Sequence, residues 1–138
     1  MTTFTNPADV LRFLRAGRAV ITLQSERTGA HYTYKIVHKE ADAPFFVNLL
    51  TGPDNGDDFT YVGLLGDDAV RLTKKSKLSC DAPSIKAINY ALRNLAAGRM
   101  PPECVIRHEG KCGVCARTLT VPESIDRGIG PECWEKMS

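Results

Sequence analysis

Residues 18–38 read RAVITLQSERTGAHYTYKIVH, two alternating runs joined by a turn. Ala19, Ile21 and Leu23 alternate with Val20, Thr22 and Gln24, and this period of two suits a strand that buries one face. Arg27, Thr28 and Gly29 supply turn residues. In residues 31–38, Tyr32, Tyr34 and Ile36 then alternate with Thr33, Lys35 and Val37, so a β-hairpin is predicted. Upstream, Asn6 before Pro7 reads as a helix cap and first position, with Asp9 in the first turn, Val10, Leu11, Phe13 and Leu14 as an apolar face, and Gly17 as the stop. Downstream, strands are expected at 45–50 and 59–65 around the turn-rich TGPDNGDD, with a shorter one at 69–73.

A second helix is expected to open at Asp81 and Pro83. Ile85, Ile88, Leu92 and Leu95 recur at helical spacing until Gly98, and that face should cover the sheet. Gly98, Met100, Pro101 and Pro102 then read as a linker. With 43% hydrophobic and 25% charged residues over 138 positions, the composition is that of a globular protein. No apolar run approaches the length of a membrane helix and no secretory signal pattern is seen, so a cytoplasmic location is expected, that of a bacterial host cell once the resemblance below is added. Five cysteines fit a reducing compartment better than a disulfide framework.

Three of those cysteines lie near the end, in HEGKCGVCARTLTVPESIDRGIGPECWEKMS. Cys112 and Cys115 form a CxxC pair, and seventeen residues separate Cys115 from Cys133. Pro131 suits a helix start, which puts Cys133 in a first turn where free amides and the helix dipole favour a thiolate. His108, four residues before Cys112, is the expected fourth ligand of a Zn2+ site. Cys104 competes for that role, but Cys104, Val105 and Ile106 read as a strand start with a buried thiol. Cys80 is given no role. Four protein ligands would close the site and make it a structural staple. The expected architecture is α+β: a small antiparallel β-sheet flanked by two helices, followed by a zinc-ribbon or treble-clef-like knuckle. The α+β domain would occupy residues 1–98 and the zinc-binding module 99–138.

The stretch CGVCARTLTVPESIDRGIGPEC resembles a C-terminal module, CGxCxRxLTxPESIxxGIGPxC, found in small uncharacterised phage proteins. The matching positions include Cys112, Gly113, Cys115, Arg117, Leu119, Thr120, Pro122, Gly128, Gly130, Pro131 and Cys133; Ala116 stands where glycine is more usual. The resemblance implies a phage origin and zinc but no mechanism.

The net charge of +2 hides a segregation along the chain. Residues 41–70 carry only acidic charges, Asp42, Asp54, Asp57, Asp58, Asp67 and Asp68, whereas Arg71, Lys74, Lys75, Lys77 and Lys86 follow with Asp81 alone against them. Two partner classes follow. Nucleic acid, single-stranded in the sharper form, would stack on Tyr32, Tyr34 and Tyr61 while Lys35, Arg71, Lys74, Lys75 and Lys77 neutralise phosphates. Against this, Tyr32 and Tyr34 share the parity of Ile36, which points them to the core. The alternative is a phage anti-defence or host-takeover factor that binds a host protein through the acidic stretch from Asp54 to Asp68. No GxSxG, HExxH, phosphate-binding glycine loop or deaminase signature is found, so a non-enzymatic protein is expected.

Overall fold

Asn6 is extended and its side-chain oxygen accepts the Ala8 amide proton at 2.9 Å, so the first helix begins where a cap and a proline coincide. The computed structural model describes residues 2–53 and 58–137. Among these are four helices, α1 (Pro7–Leu14), α2 (Pro83–Ala96), α3 (Pro122–Arg127) and α4 (Pro131–Met137). The strands are β1 (Thr2–Thr3), β2 (Arg18–Ser25), β3 (His31–Val37), β4 (Phe46–Leu50), β5 (Phe59–Leu65), β6 (Val70–Arg71) and β7 (Cys104–His108). Pro83 opens α2 as expected, but Ala82 is the cap residue and no side chain caps it. Asp54 and Asp57, with the middle of the turn between β4 and β5, lie outside the described residues.

The strands form one antiparallel sheet in the order β1-β7-β2-β3-β4-β5-β6. Strands β2 to β6 follow one another as a meander. The chain then crosses through α2 and returns as β7 on the other side of β2, where Ile21 faces His108 and Leu23 faces Ile106. The division expected at residue 98 therefore falls just before a strand that completes the sheet. At β4–β5 the register slips: Val47 opposes Gly63 and Asn48 opposes Tyr61, so Val62 is the extra residue and its side chain is buried. A Cβ on Gly63 would lie 2.6 Å from a Val70 methyl and 2.7 Å from the Arg71 carbonyl oxygen. Only glycine lets β6 come this close.

Both long helices lie on one face. Val10, Phe13 and Leu14 of α1 and Ile85, Ile88, Leu92 and Leu95 of α2 share a core with Ala19, Ile21, Leu23, Tyr34, Ile36, Val47, Leu49, Val62 and Ile106. Tyr34 is completely buried and its hydroxyl donates to the Ser84 carbonyl at 2.6 Å. Burial first, with Tyr32 and Cys104 nearby, lifts its phenol well above the ordinary tyrosine range, so it stays a neutral donor. The stacking role expected of Tyr34 is thus corrected, because its ring is core and its one polar atom ties β3 to the start of α2. Tyr32 is half-buried on the same helix-covered side, in a groove with Pro83, Tyr90 and Cys104.

Tyr34→Phe removes one hydrogen bond to a carbonyl that α2 already engages and should cost about 0.5–1.5 kcal/mol. Tyr34→Ala should cost about 3–5 kcal/mol, as large aromatic truncations do. Urea unfolding checks both, with an unchanged denaturant slope confirming that stability and not compactness has moved.

Candidate functional site

After β7 the chain doubles back into a small hairpin. Lys111 bridges Thr118, the Cys112 amide donates to the Arg117 carbonyl at 2.8 Å, and the Leu119 amide donates to that of Gly110 at 2.8 Å. The tip is the CxxC turn, closed by a 2.8 Å bond from the Ala116 amide to the Cys112 carbonyl. Ala116 is left-handed at φ 65°. This is the position where the resemblance expects glycine, and a non-glycine residue there costs about 1–2 kcal/mol.

The hairpin packs where two backbone passes cross over Phe13. A Cβ on Gly113 would lie 2.9 Å from that ring; one on Gly128, the left-handed cap of α3 at φ 76°, would lie 2.6 Å from it. The Gly113 amide donates to the Gly128 carbonyl at 2.8 Å and locks the passes together. Gly130 and Pro131 then start α4 with Cys133 in its first turn. Trp134 follows, with the guanidinium groups of Arg12 and Arg127 at 4.6 and 4.2 Å from its ring, so α4 is held against α1 and α3.

This brings Cys112, Cys115 and Cys133 together, with their sulfurs all within 4.8 Å of one another. Sulfurs bound to one tetrahedral ion at about 2.3 Å sit roughly 3.8 Å apart, so a small inward movement completes the fit. The Cys112 sulfur accepts from the amides of Gly130 at 3.2 Å and Val114 at 3.4 Å. Burial pushes this thiol up, but the Gly130, Cys115 and Val114 amides and the Cys115 thiol outweigh it, and the net direction is down. Cys133 moves the other way, pushed up to about 11 by burial and then by hydrogen bonding and charge from Cys115 and Cys112. The two shifts oppose each other because a thiolate at Cys112 disfavours a second one at Cys133. A bound cation would favour all three thiolates.

His108 does not join them. It is completely buried, with ring centroids 4.9 Å from Phe4 and 5.6 Å from Phe13. Its Nδ1 accepts from the Gly110 amide at 3.0 Å, so Nε2 carries the proton and donates to the Ile125 carbonyl at 2.6 Å. Both ring nitrogens are committed, and the expected His108 ligand is corrected to a core histidine that joins β7 to α3. Burial lowers its pKa, opposed by the Ile125 carbonyl and by the charges of Glu109 and Asp126. Cys104 is no substitute, since it sits at the far end of β7 in the groove with Tyr32 and Tyr90, where burial raises its thiol. Among the described residues the metal-holding group is three cysteines, so the closed four-ligand site is also corrected.

A second surface lies on the sheet face away from the helices. Cross-strand pairing places Arg18, Val37, Phe46, Leu64 and Arg71 in one row, and Val20, Lys35, Asn48 and Tyr61 in the next. Thr22 pairs with both Thr33 and Arg107 on this face, and Arg107 donates to the Gln24 side chain at 2.7 Å. Among the described residues no strand contains an aspartate or glutamate, and the four strand residues that carry a fixed charge, Arg18, Lys35, Arg71 and Arg107, all stand on this uncovered side. The face is an open concavity of about 990 Å³, with Lys39, Lys111, His31 and Glu109 among its lining. The Lys35 ammonium sits 5.6 Å over the Phe59 ring, and Tyr61 bonds Thr73 at 3.1 Å. That bond anchors the exposed turn bearing Lys74, Lys75 and Lys77 beside the same face.

Of the residues expected to meet nucleic acid, Lys35 and Arg71 share this face and the three lysines border it, while Tyr32 and Tyr34 point to the opposite side. Phe46 and Phe59 take their place beside Tyr61, and Arg18, Lys39, Arg107 and Lys111 add cations that the reading of the chain missed. A signal for the strand residues was present, because Arg18 and Lys35 have the parity of Val20 and Thr33 rather than that of the core.

Residues 102–138, which span β7, the hairpin, α3 and α4, match the sequence model of a family of unknown function, DUF6011. No curated protein and no solved structure matches the chain significantly. Among the described residues no helix is long and apolar enough to cross a membrane.

Metal analysis should show one ion per chain, lost in Cys112→Ser, Cys115→Ser and Cys133→Ser but kept in Cys104→Ala and His108→Ala. The pH dependence of His108 has a definite sign. Its folded pKa lies below the unfolded value of about 6.5, so the unfolded chain binds more protons. Its contribution to stability is therefore complete above about pH 6.5 and is lost as pH falls through the folded pKa. Unfolding free energies measured between neutral and mildly acid pH should fall more steeply for the native chain than for His108→Gln.

Proposed function

We propose that this chain is a zinc-stapled, non-enzymatic protein that binds nucleic acid, single-stranded in preference to duplex, on its uncovered sheet face. The observation that carries the reading is the one-sidedness of charge: seven strands without a carboxylate, with every fixed charge positive and on the side that no helix covers. A polyanion gains from such a face by releasing counterions as its phosphates are neutralised. Phe46, Phe59 and Tyr61 lie among the cations on this surface, and rings beside cations are what unpaired bases stack on, at about 1–3 kcal/mol per base. Thr22, Thr33 and Asn48 add hydroxyl and amide groups. Cations, rings and neutral hydrogen-bonding groups make up a binding inventory.

Zinc is the ion that three clustered thiolates suit best, being tetrahedral and redox-inert, and it would hold the CxxC turn against the first turn of α4. The resemblance of residues 112–133 to phage modules supports an accessory role in an infected bacterial cell.

Titrating a labelled oligothymidylate at several salt concentrations tests the reading. Binding should weaken steeply with salt, and Arg18→Glu with Lys35→Glu should lower the slope of log affinity against log salt by at least about 1.4, two phosphate contacts' worth. Replacing Lys74, Lys75 and Lys77 with alanine should have a smaller effect, since they border the face. Salt-independent binding, no binding, or native affinity in the double variant would each defeat the proposal.

A further inference from the structure

We infer that the metal centre is part of the nucleic-acid surface itself: the hairpin that it closes forms one wall of the open sheet face and presents Lys111 to a phosphate. This rests on the reading of that face as a nucleic-acid site. Glu109, Lys111 and Ala116 line the same concavity as Arg18, Val20, Thr22 and Lys35, so the wall and the floor bound one space. They are also joined through the backbone, where the Arg18 amide donates to the Gly113 carbonyl at 2.7 Å. Gly113 lies between the two knuckle cysteines, and Arg18 is the first cation of the floor. Lys111 immediately precedes the ligand Cys112 and is held in register by its bridge to Thr118.

Beyond the hairpin's own backbone bonds and the seat of Gly113 and Gly128 on Phe13, the metal is the cross-link that would tie the CxxC turn to α4 through side chains. Lys111, Cys115, Ala116, Arg117 and Thr118 are all exposed, and among the described residues from Glu109 to the end of α4 the fully buried apolar ones are Cys112, Leu119 and Ile129, with Val114, Ile125, Cys133 and Trp134 half-buried against the core. The floor stands on the remaining core residues and keeps its geometry without help from the tail. A metal drawn out of the three sulfurs thus removes the cross-link of the wall while leaving the floor in place, and Lys111 loses its fixed position. The metal and the nucleic acid are then coupled ligands. Each should strengthen the binding of the other by the same factor.

Three measurements on the full chain decide this. Lys111→Glu should keep its metal content and its far-ultraviolet circular dichroism, yet bind oligothymidylate about fivefold or more weakly, within the usual range of such couplings, with a salt slope smaller by at least about 0.7. Removing metal from the native chain with a chelator should weaken binding by a similar factor while amide exchange in β2 to β5 stays slow. Chelation of Lys111→Ala should weaken binding by clearly less, because the positioned charge is already gone. Native affinity in Lys111→Glu, while Arg18→Glu with Lys35→Glu is impaired, overturns the wall and leaves the sheet-face reading standing. If that double variant also binds normally, or the native chain does not bind, both ideas fail together.

Discussion

The ring of Phe13 is the contact on which the two parts of this molecule depend. From α1 it reaches under two glycine backbones, Gly113 of the CxxC turn and Gly128 at the end of α3, and its centroid lies 5.6 Å from His108 and 5.2 Å from Phe4. A single side chain thus sets the height of the knuckle above the sheet, the packing of the buried histidine and the path into α4. Neither glycine could carry a Cβ without displacing the ring. The cysteines meet because their backbones are pressed against the same aromatic surface. A metal would finish that arrangement rather than create it.

The same packing explains why His108 is not a ligand. A histidine near a CxxC pair has two uses: it can point out to a metal, or in to bond the backbone of the segment it must hold. Here β7 is a central strand and His108 has the parity of Ile106, so its ring enters the core between Phe4 and Phe13. Once there, each ring nitrogen needs a partner, and the Gly110 amide and Ile125 carbonyl supply them. The histidine becomes a polar rivet between sheet and tail. The sulfurs keep the metal chemistry to themselves.

Placing both helices on one side leaves the sheet asymmetric. The covered face is apolar apart from bonded groups such as the Tyr34 hydroxyl and His108. The other face collects every fixed strand charge and three half-buried rings. Asymmetry of this kind is the ordinary result of an antiparallel sheet with one packed side. Less ordinary is that the fixed strand charges on the open side all share one sign, and that the cysteine-bearing hairpin borders it.

Much of this was legible in the chain. The alternation of residues 18–38 determined a hairpin, Asn6 with Pro7 determined the start of α1, and the spacing of Cys112, Cys115 and Cys133 determined a group that could hold a metal. These are local signals, set by backbone periodicity, capping and the reach of a short turn. What only the tertiary structure decided was long-range. It inserted β7 between β1 and β2, and so turned His108 inward. It shifted the parity of β5 by a bulge at Val62, and it gathered Arg18, Lys35, Arg71 and Arg107, far apart in sequence, on one face. Strand order and bulges follow from how separate segments pack together, and no window along the sequence contains that information.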